Sequence, residues 1–363
     1  MELGKNYAVL VDMMYPYMTR MVISYLTDWS IGVDFCLWQM VAVILIVGVL
    51  ASIVLMIILR WNPIQWFGWV VAVASALFLL HTGIYGLNYY AGSVADDIRM
   101  GVSEYTVAEL ETAATYFRDQ ANALAQSVPR TGGTLDYPAF EELALQAGNG
   151  FQTLTYKEGE PVFAGSVQPV KKLGWSQRYT AKGITGVTVA LTGESAVNPD
   201  TPTVILPYVM CREMAHRMSI VTEQDSAFAA FLACIYNDSP AFRYAGYFMA
   251  YRYCYDALST LSTSSAQAAA TRVQSGVNSQ LRRDLETYDL FFIGSDGALN
   301  AGSGIYLQST YLDEEEAGIS VCDLLTNWYI QEFVLPLQVE EEVHFDPFDE
   351  DQVDLTDLIR SGY

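Results

Sequence analysis

Long stretches of this 363-residue sequence carry no charge. No Asp, Glu, Lys or Arg stands between Asp34 and Arg60, nor between Arg60 and Asp96. Inside the first gap, residues 36–59 are almost continuously apolar, with Gln39 and Ser52 the main interruptions; residues 66–87 read the same way. Each run exceeds the roughly 20 residues an α-helix needs to cross a hydrocarbon core of about 30 Å. A buried pair of soluble-core helices is the lesser reading, and a transmembrane hairpin turning over residues 61–65 is expected.

Basic residues are scarce too: 19 Lys and Arg against 41 Asp and Glu, a net charge of −22. Such a surface repels a polyanion, which excludes nucleic-acid binding. Histidine occurs only three times, as His81, His216 and His344. The five cysteines include Cys36 in the first apolar run, while Cys211, Cys234, Cys254 and Cys322 lack metal-type spacing and read as core residues. No nucleotide loop, no Ser-His-Asp set and no internal repeat is present. A cleavable signal peptide is not expected, because Asp12, Pro16 and Arg20 break up residues 1–34.

What is present refines the membrane reading. Trp61, Trp66, Trp69, Tyr85, Tyr89 and Tyr90 sit near the ends of the two runs, where amphipathic rings favour the headgroup zone. Arg60 is the only charge by the turn, so the positive-inside tendency puts the turn in the cytoplasm and the rest of the chain outside. Residues 7–29 read as an amphipathic helix lying against the membrane or the soluble domain. The expected organisation is an N-terminal segment 1–34, two spans within 35–90 (about 36–59 and 66–87), a soluble domain 91–329 and a tail 330–363. Nine carboxylates and no basic residue occupy 340–357, which reads as a solvated, partly disordered extension.

The soluble region reads as an α+β domain, mostly helical. Thr106 to Glu109 has capping-box form, and Leu110, Ala113, Ala114, Phe117, Ala121 and Leu124 keep helical spacing. A turn-rich patch at 129–133 and a short helix at 137–147 follow. Gly- and Thr-rich residues 150–199 predict one or two strands, and helices return over 202–288.

Within that helical run stands Cys211-Arg212-Glu213-Met214-Ala215-His216. It keeps the Glu, the spacer and the final His of the zincin helix H-E-x-x-H, in which two His at i and i+4 bind zinc and the Glu polarises a zinc-bound water. Arg212 replaces the first ligand, and a guanidinium offers no lone pair to a metal. Taken alone, Glu-x-x-His is a weak signal that occurs by chance in many helices, and a surface i,i+3 pair is the favoured reading. Cys211 points about 100° around the helix from Arg212 and reads as core.

The wider sequence resembles a bacterial membrane family, domain-of-unknown-function family 3810, a group of zincin-like proteins. The resemblance rests on Gly86-Leu-Asn-Tyr-Tyr90, Tyr105-Thr-Val-Ala-Glu-Leu110, Gly183-Ile-Thr-Gly186, Thr192-Gly-Glu-Ser-Ala-Val-Asn198, Glu213-Met-Ala-His216, and the segments 228–234 and 242–246, in matching order. It implies a zincin-like fold in which Glu213 is the general base, His216 the second ligand and Asp225 the third, with Arg212 at the first. Glu194 and Asn198 match positions that would line the same cleft, with a turn-capping role an equal reading. Arg243 and Tyr244 match likewise, as substrate-side residues or as a buried Arg pairing with a carboxylate. Such proteins usually carry a further span ahead of this pair, and a polar segment that 303–311 matches only in part; the tail beyond Tyr329 is additional.

Two of the three implied ligand positions depart from the pattern, so the expectation is a pseudopeptidase without catalytic zinc that binds a peptide or an envelope protein. Arg212 is expected to stand where zinc would, paired with Asp225. The partners expected are the lipid bilayer and that peptide or protein; the location is the cell membrane, multi-pass, with the domain extracytoplasmic. Two alternatives stand beside it: an active zinc metallopeptidase with an atypical site on His216 and Asp225, and a structural subunit of a membrane complex. His344 folding back as a rescuing ligand is a lesser variant, and His81 reads as a packed or interfacial imidazole rather than a proton relay.

Overall fold

A computed structural model describes residues 8–156, 159, 161–292 and 320–335. It is mostly helical. Helix α1 (Ala8–Ser30) turns Thr19, Ile23, Thr27 and Ser30 inward, all buried against the globular part. Of the two neighbours expected for this segment, the domain therefore holds one face.

Helices α2 (Leu37–Ile58) and α3 (Pro63–Ile84) have 22 residues each, with mean hydropathy 3.3 and 1.8, and their most apolar windows contain no buried residue. Helices of a soluble core would be covered over most of their surface. These two are long and apolar enough to cross a membrane. The turn between them is shorter than the sequence suggests: Asn62 accepts the Ile64 amide at 2.9 Å, Pro63 fills the first helical position, and α3 starts there. Near the turn, the Trp66 indole N–H donates to Ser52 Oγ at 3.0 Å. The second helix also stops short of Leu87, and Gly86–Tyr90 forms a 3-10 turn.

The domain begins with α4 (Val94–Asp97) and α5 (Val107–Ser127). The expected capping box at the start of α5 is present: Glu109 N–H donates to Thr106 Oγ1 at 3.2 Å, and Thr106 N–H to the Glu109 carboxylate at 2.7 Å. The turn-rich patch is a small antiparallel hairpin, β1 (Arg130–Thr131) with β2 (Thr134–Leu135). Helices α6 (Phe140–Gln146) and α7 (Asn149–Thr153) come next.

The Gly- and Thr-rich region holds three short strands, not one or two: β3 (Lys171–Lys172), β4 (Gly186–Val189) and β5 (Glu194–Val197), with α8 (Ser176–Thr180) between β3 and β4. The order is β3-β5-β4, so β4 is an edge strand among the described residues, antiparallel to β5 with Val187 opposite Ala196. Strand β3 has two residues and pairs in parallel with β5, too little to show alternation in the sequence. Helices α9 (Leu206–Arg217), α10 (Glu223–Ile235), α11 (Pro240–Thr260), α12 (Ser264–Ser275), α13 (Ser279–Phe292) and α14 (Val321–Tyr329) follow among the described residues. The core centres on rings from three of them and α5: Phe117 lies 5.6 Å from Phe231, and Phe231 lies 5.0 Å from Trp328 and 6.1 Å from Tyr247, in edge-on arrangements. The helix does not end at Tyr329: Ile330–Val334 continues it as a π turn, and Phe333 packs 4.8 Å from Tyr116. The rest of the acidic tail, with His344, lies outside the described residues, as does 303–311.

Candidate functional site

All twelve residues of α9 are buried, including Arg212, Glu213 and His216. Charged groups placed so deep need partners. Glu213 has several. Thr188 Oγ1 on β4 donates to its carboxylate at 2.8 Å, and Ser195 Oγ on β5 donates to its backbone carbonyl at 2.7 Å. Gly186 lies flat against the same carboxylate; a Cβ there would come within 2.5 Å of Glu213 Oε1. The β4–β5 pair thus holds the middle of α9 in place.

Arg212 bridges two carboxylates. One guanidinium nitrogen donates to Glu213 Oε1 at 2.9 Å and another to Glu223 Oε2 at 3.0 Å. Burial raises the Glu223 carboxyl's pKa, but the charges of Arg212 and His216 outweigh it and hold the group below its ordinary value. His216 commits Nδ1 to the Ile220 carbonyl at 2.9 Å, which leaves Nε2 facing Glu223 Oε1 at 3.6 Å. These groups form the floor of a cleft of about 290 Å³, walled by the segment 183–188 and by Tyr85 from the end of α3.

Asp225 is not in this cleft. It accepts from Ser93 Oγ at 2.6 Å, from the Val94 amide at 2.9 Å and from Thr222 Oγ1 at 2.6 Å. The expected Arg212–Asp225 pair is therefore corrected to Arg212–Glu223. Thr222 is the N-cap of α10, so the residue three beyond it folds back to the cap, while the first residue of the helix leans towards α9.

Glu194 does not line the cleft either. Its two oxygens accept the Leu37 and Trp38 amides, each at 2.8 Å, and pair with Lys171 Nζ at 2.7 Å. The N-cap residue Cys36 makes no side-chain cap, so a carboxylate 157 residues away satisfies the exposed amides of α2 and complements its dipole. Asn198 is a turn brace: it donates to Thr180 Oγ1 at 2.9 Å and to the Ile184 carbonyl at 3.0 Å, shaping the loop into β4. Arg243 and Tyr244 lie on α11, away from the cleft. Tyr244 donates to Asp284 at 2.5 Å, and Asp284 pairs with Arg130 at 2.6 Å, a buried knot joining α11, α13 and β1. His81, exposed near the end of α3, sits 5.8 Å from the Tyr85 ring.

Zinc held catalytically needs three protein donors. Here His216 Nε2 and Glu223 face one another, but the position of the first His is a guanidinium already bonded to both nearby carboxylates. Among the described residues, no group of three or more His, Cys, Asp or Glu comes together to hold a metal ion. The residues present do not fit the metal.

The sequence reading missed Glu223, Thr188 and Tyr85 in the cleft. Thr222-Glu-Gln-Asp225 carried a signal for the first, since Thr-x-x-Asp is a helix start that engages the Asp. Nothing local marks the other two, which reach the site through the fold.

A mostly helical chain with two helices apolar and long enough to cross a membrane, and a buried charged cleft beside them, defines the class. The chain belongs to the family described as "Protein of unknown function (DUF3810)", whose match covers residues 11–312. No curated protein and no solved structure matches it.

Proposed function

We propose that this is a multi-pass cell-membrane protein with an extracytoplasmic, zincin-like domain that binds an extended peptide, or a segment of an envelope protein, without hydrolysing it. The observation that carries the reading is Arg212. It stands at the position of the first His of H-E-x-x-H and bridges Glu213 and Glu223. A fixed cation there offsets two carboxylates as a metal would, yet it activates no water. Glu213 and His216 are then vestiges of a base and a ligand, with Glu223 rather than Asp225 in the third place.

The peptide reading is supported by β4. Among the described residues it has a strand neighbour on one side only, and the residues leading into it wall the cleft. An extended segment can add to such an edge through its backbone. Tyr85 on the rim puts the cleft next to the end of α3, so the segment bound would lie close to the membrane.

Substitution tests this directly. Arg212→His in the full-length protein restores three donors, His at 212, His216 and Glu223, and is expected to bind about one zinc per chain. Adding His216→Ala should abolish that zinc. An Arg212→His protein that folds but takes up no zinc would contradict a zincin-type arrangement.

A further inference from the structure

Helix α1 has its polarity reversed. The side chains it presents to the domain are largely hydroxyls. Thr19 lies 3.0 Å from Ser219 Oγ and accepts from Asn88 at 3.1 Å, and Thr27 donates to the Gly193 carbonyl at 2.7 Å. Gly193, at φ +65°, is what allows this approach, because a Cβ there would lie 2.4 Å from the Thr27 nitrogen. The outward face is made of Met14, Tyr17, Met18, Met21, Tyr25 and Trp29, each between 54% and 75% exposed. A helix on a water-soluble domain does the opposite, hiding its apolar stripe and showing its polar one. A contiguous apolar face of this size is rarely left to water.

The placement of its two ends identifies what covers that face. At one end, the Tyr15 hydroxyl donates to the carbonyls of Thr82 and Gly83, at 2.9 and 2.8 Å, in the last turn of α3. At the other, Lys171 binds the carbonyls of Ser30 and Phe35, at 2.8 and 3.1 Å, beside the first turn of α2. The first turn of α2 and the last turn of α3 are the two points where a membrane hairpin meets the same surface. The stretch from Tyr15 to Ser30 spans about 22 Å and links them, so its axis runs along the surface rather than through it.

We infer that α1 is an in-plane membrane helix, seated in the leaflet from which the hairpin emerges. Its Met, Tyr and Trp face enters the boundary between headgroups and acyl chains, as amphipathic interfacial helices do. Aromatic rings at 17, 25 and 29 suit that depth. The inference rests on reading α2 and α3 as membrane spans. It gives the domain a second, lateral attachment: Arg20 donates to the Met218 carbonyl at 2.9 Å, just past the end of the cleft helix, so α1 fixes the cleft against the bilayer surface.

Depth-dependent quenching of a fluorophore on an introduced cysteine tests it, in full-length protein in phosphatidylcholine vesicles. The five native cysteines are buried, which keeps labelling selective. Met21→Cys and Tyr25→Cys probe α1, Val73→Cys the middle of α3, and Gln274→Cys the exposed surface of α12. Probes at 21 and 25 should be quenched about threefold more by a spin label near the headgroup end of the lipid chain than by one near its methyl end, consistent with burial of about 5–10 Å. The probe at 73 should show the reverse order, and that at 274 should respond only to aqueous iodide. If 21 and 25 behave like 274 while 73 stays lipid-quenched, α1 lies in water and the inference fails with the hairpin intact. If 73 is also quenched by iodide alone, the spans themselves fail and the inference with them. Strongest quenching of 21 and 25 by the methyl-end label would make α1 a third span, and lipid-independent quenching between copies would make its face a dimer contact; either result overturns the proposal.

Discussion

Arg212 and Glu223 stand eleven residues apart and meet across the floor of the cleft in a 3.0 Å ion pair. The same guanidinium holds Glu213 from the other side at 2.9 Å, so two carboxylates depend on one cation.

Removing that cation leaves Glu213 buried beside a second carboxylate. Arg212→Met is expected to destabilise the domain by about 3 kcal/mol, read as a lower thermal midpoint of the full-length protein in detergent. Glu223→Gln, at a side chain that is 41% exposed, should change stability by under about 1 kcal/mol. Equal effects from the two substitutions would show that Arg212 is not the shared partner.

Gly186 gives a steric test of the same triad. A methyl group there collides with the Glu213 carboxylate, which cannot move without breaking its bonds to Thr188 and Arg212. Gly186→Ala should cost about 1–3 kcal/mol, with an increase in exchange of the β4 amides measured by mass spectrometry. An unchanged thermal midpoint would mean that the contact is slack.

How much of this was legible in the sequence depends on distance along the chain. Glu213 and His216 are legible as neighbours because they stand three residues apart on one helix. The apolar runs were found because twenty-odd uncharged residues leave few alternatives. Asp225 matches the family spacing, but that spacing crosses a helix boundary, where the cap decides which way each side chain turns, and it lies on Ser93, Val94 and Thr222. Glu194 was placed in the cleft by resemblance, yet its carboxylate caps α2, an interaction no window of sequence contains. Tyr85 was read as an interfacial ring; only the fold brings it to the cleft.

The Glu194 cap leads to a local expectation. Glu194→Gln leaves Lys171 buried without its counter-charge and weakens the hold on the first turn of α2. Loss of stability of about 3 kcal/mol is expected, with faster hydrogen exchange at the Leu37 and Trp38 amides in particular. Global loss with no change in exchange at those amides would contradict the capping role.

Two carboxyls should shape the pH dependence in opposite directions. Glu223 titrates below its ordinary value in the folded state, so its contribution is present above the unfolded value of about 4.3 and is lost as pH falls through the lower folded one. Asp256 is pushed up to about 6: burial dominates, Arg252 opposes it and Asp289 adds to it. Its contribution is fully present below the unfolded value of about 3.9 and is lost as pH rises through about 6. Glu223→Gln should flatten the acid limb of the stability curve. Asp256→Asn should remove a decline between about pH 4 and 6, both followed by chemical unfolding across that range.

The most direct test of the central claim is the metal content of the unsubstituted full-length protein, equilibrated with zinc and then freed of excess. With Arg212 bridging Glu213 and Glu223, the expected result is no bound zinc above the level of a His216→Ala control. Zinc at about one per chain that disappears in the His216→Ala protein would contradict it, because the metal would then share the cleft with a guanidinium that is expected to exclude it.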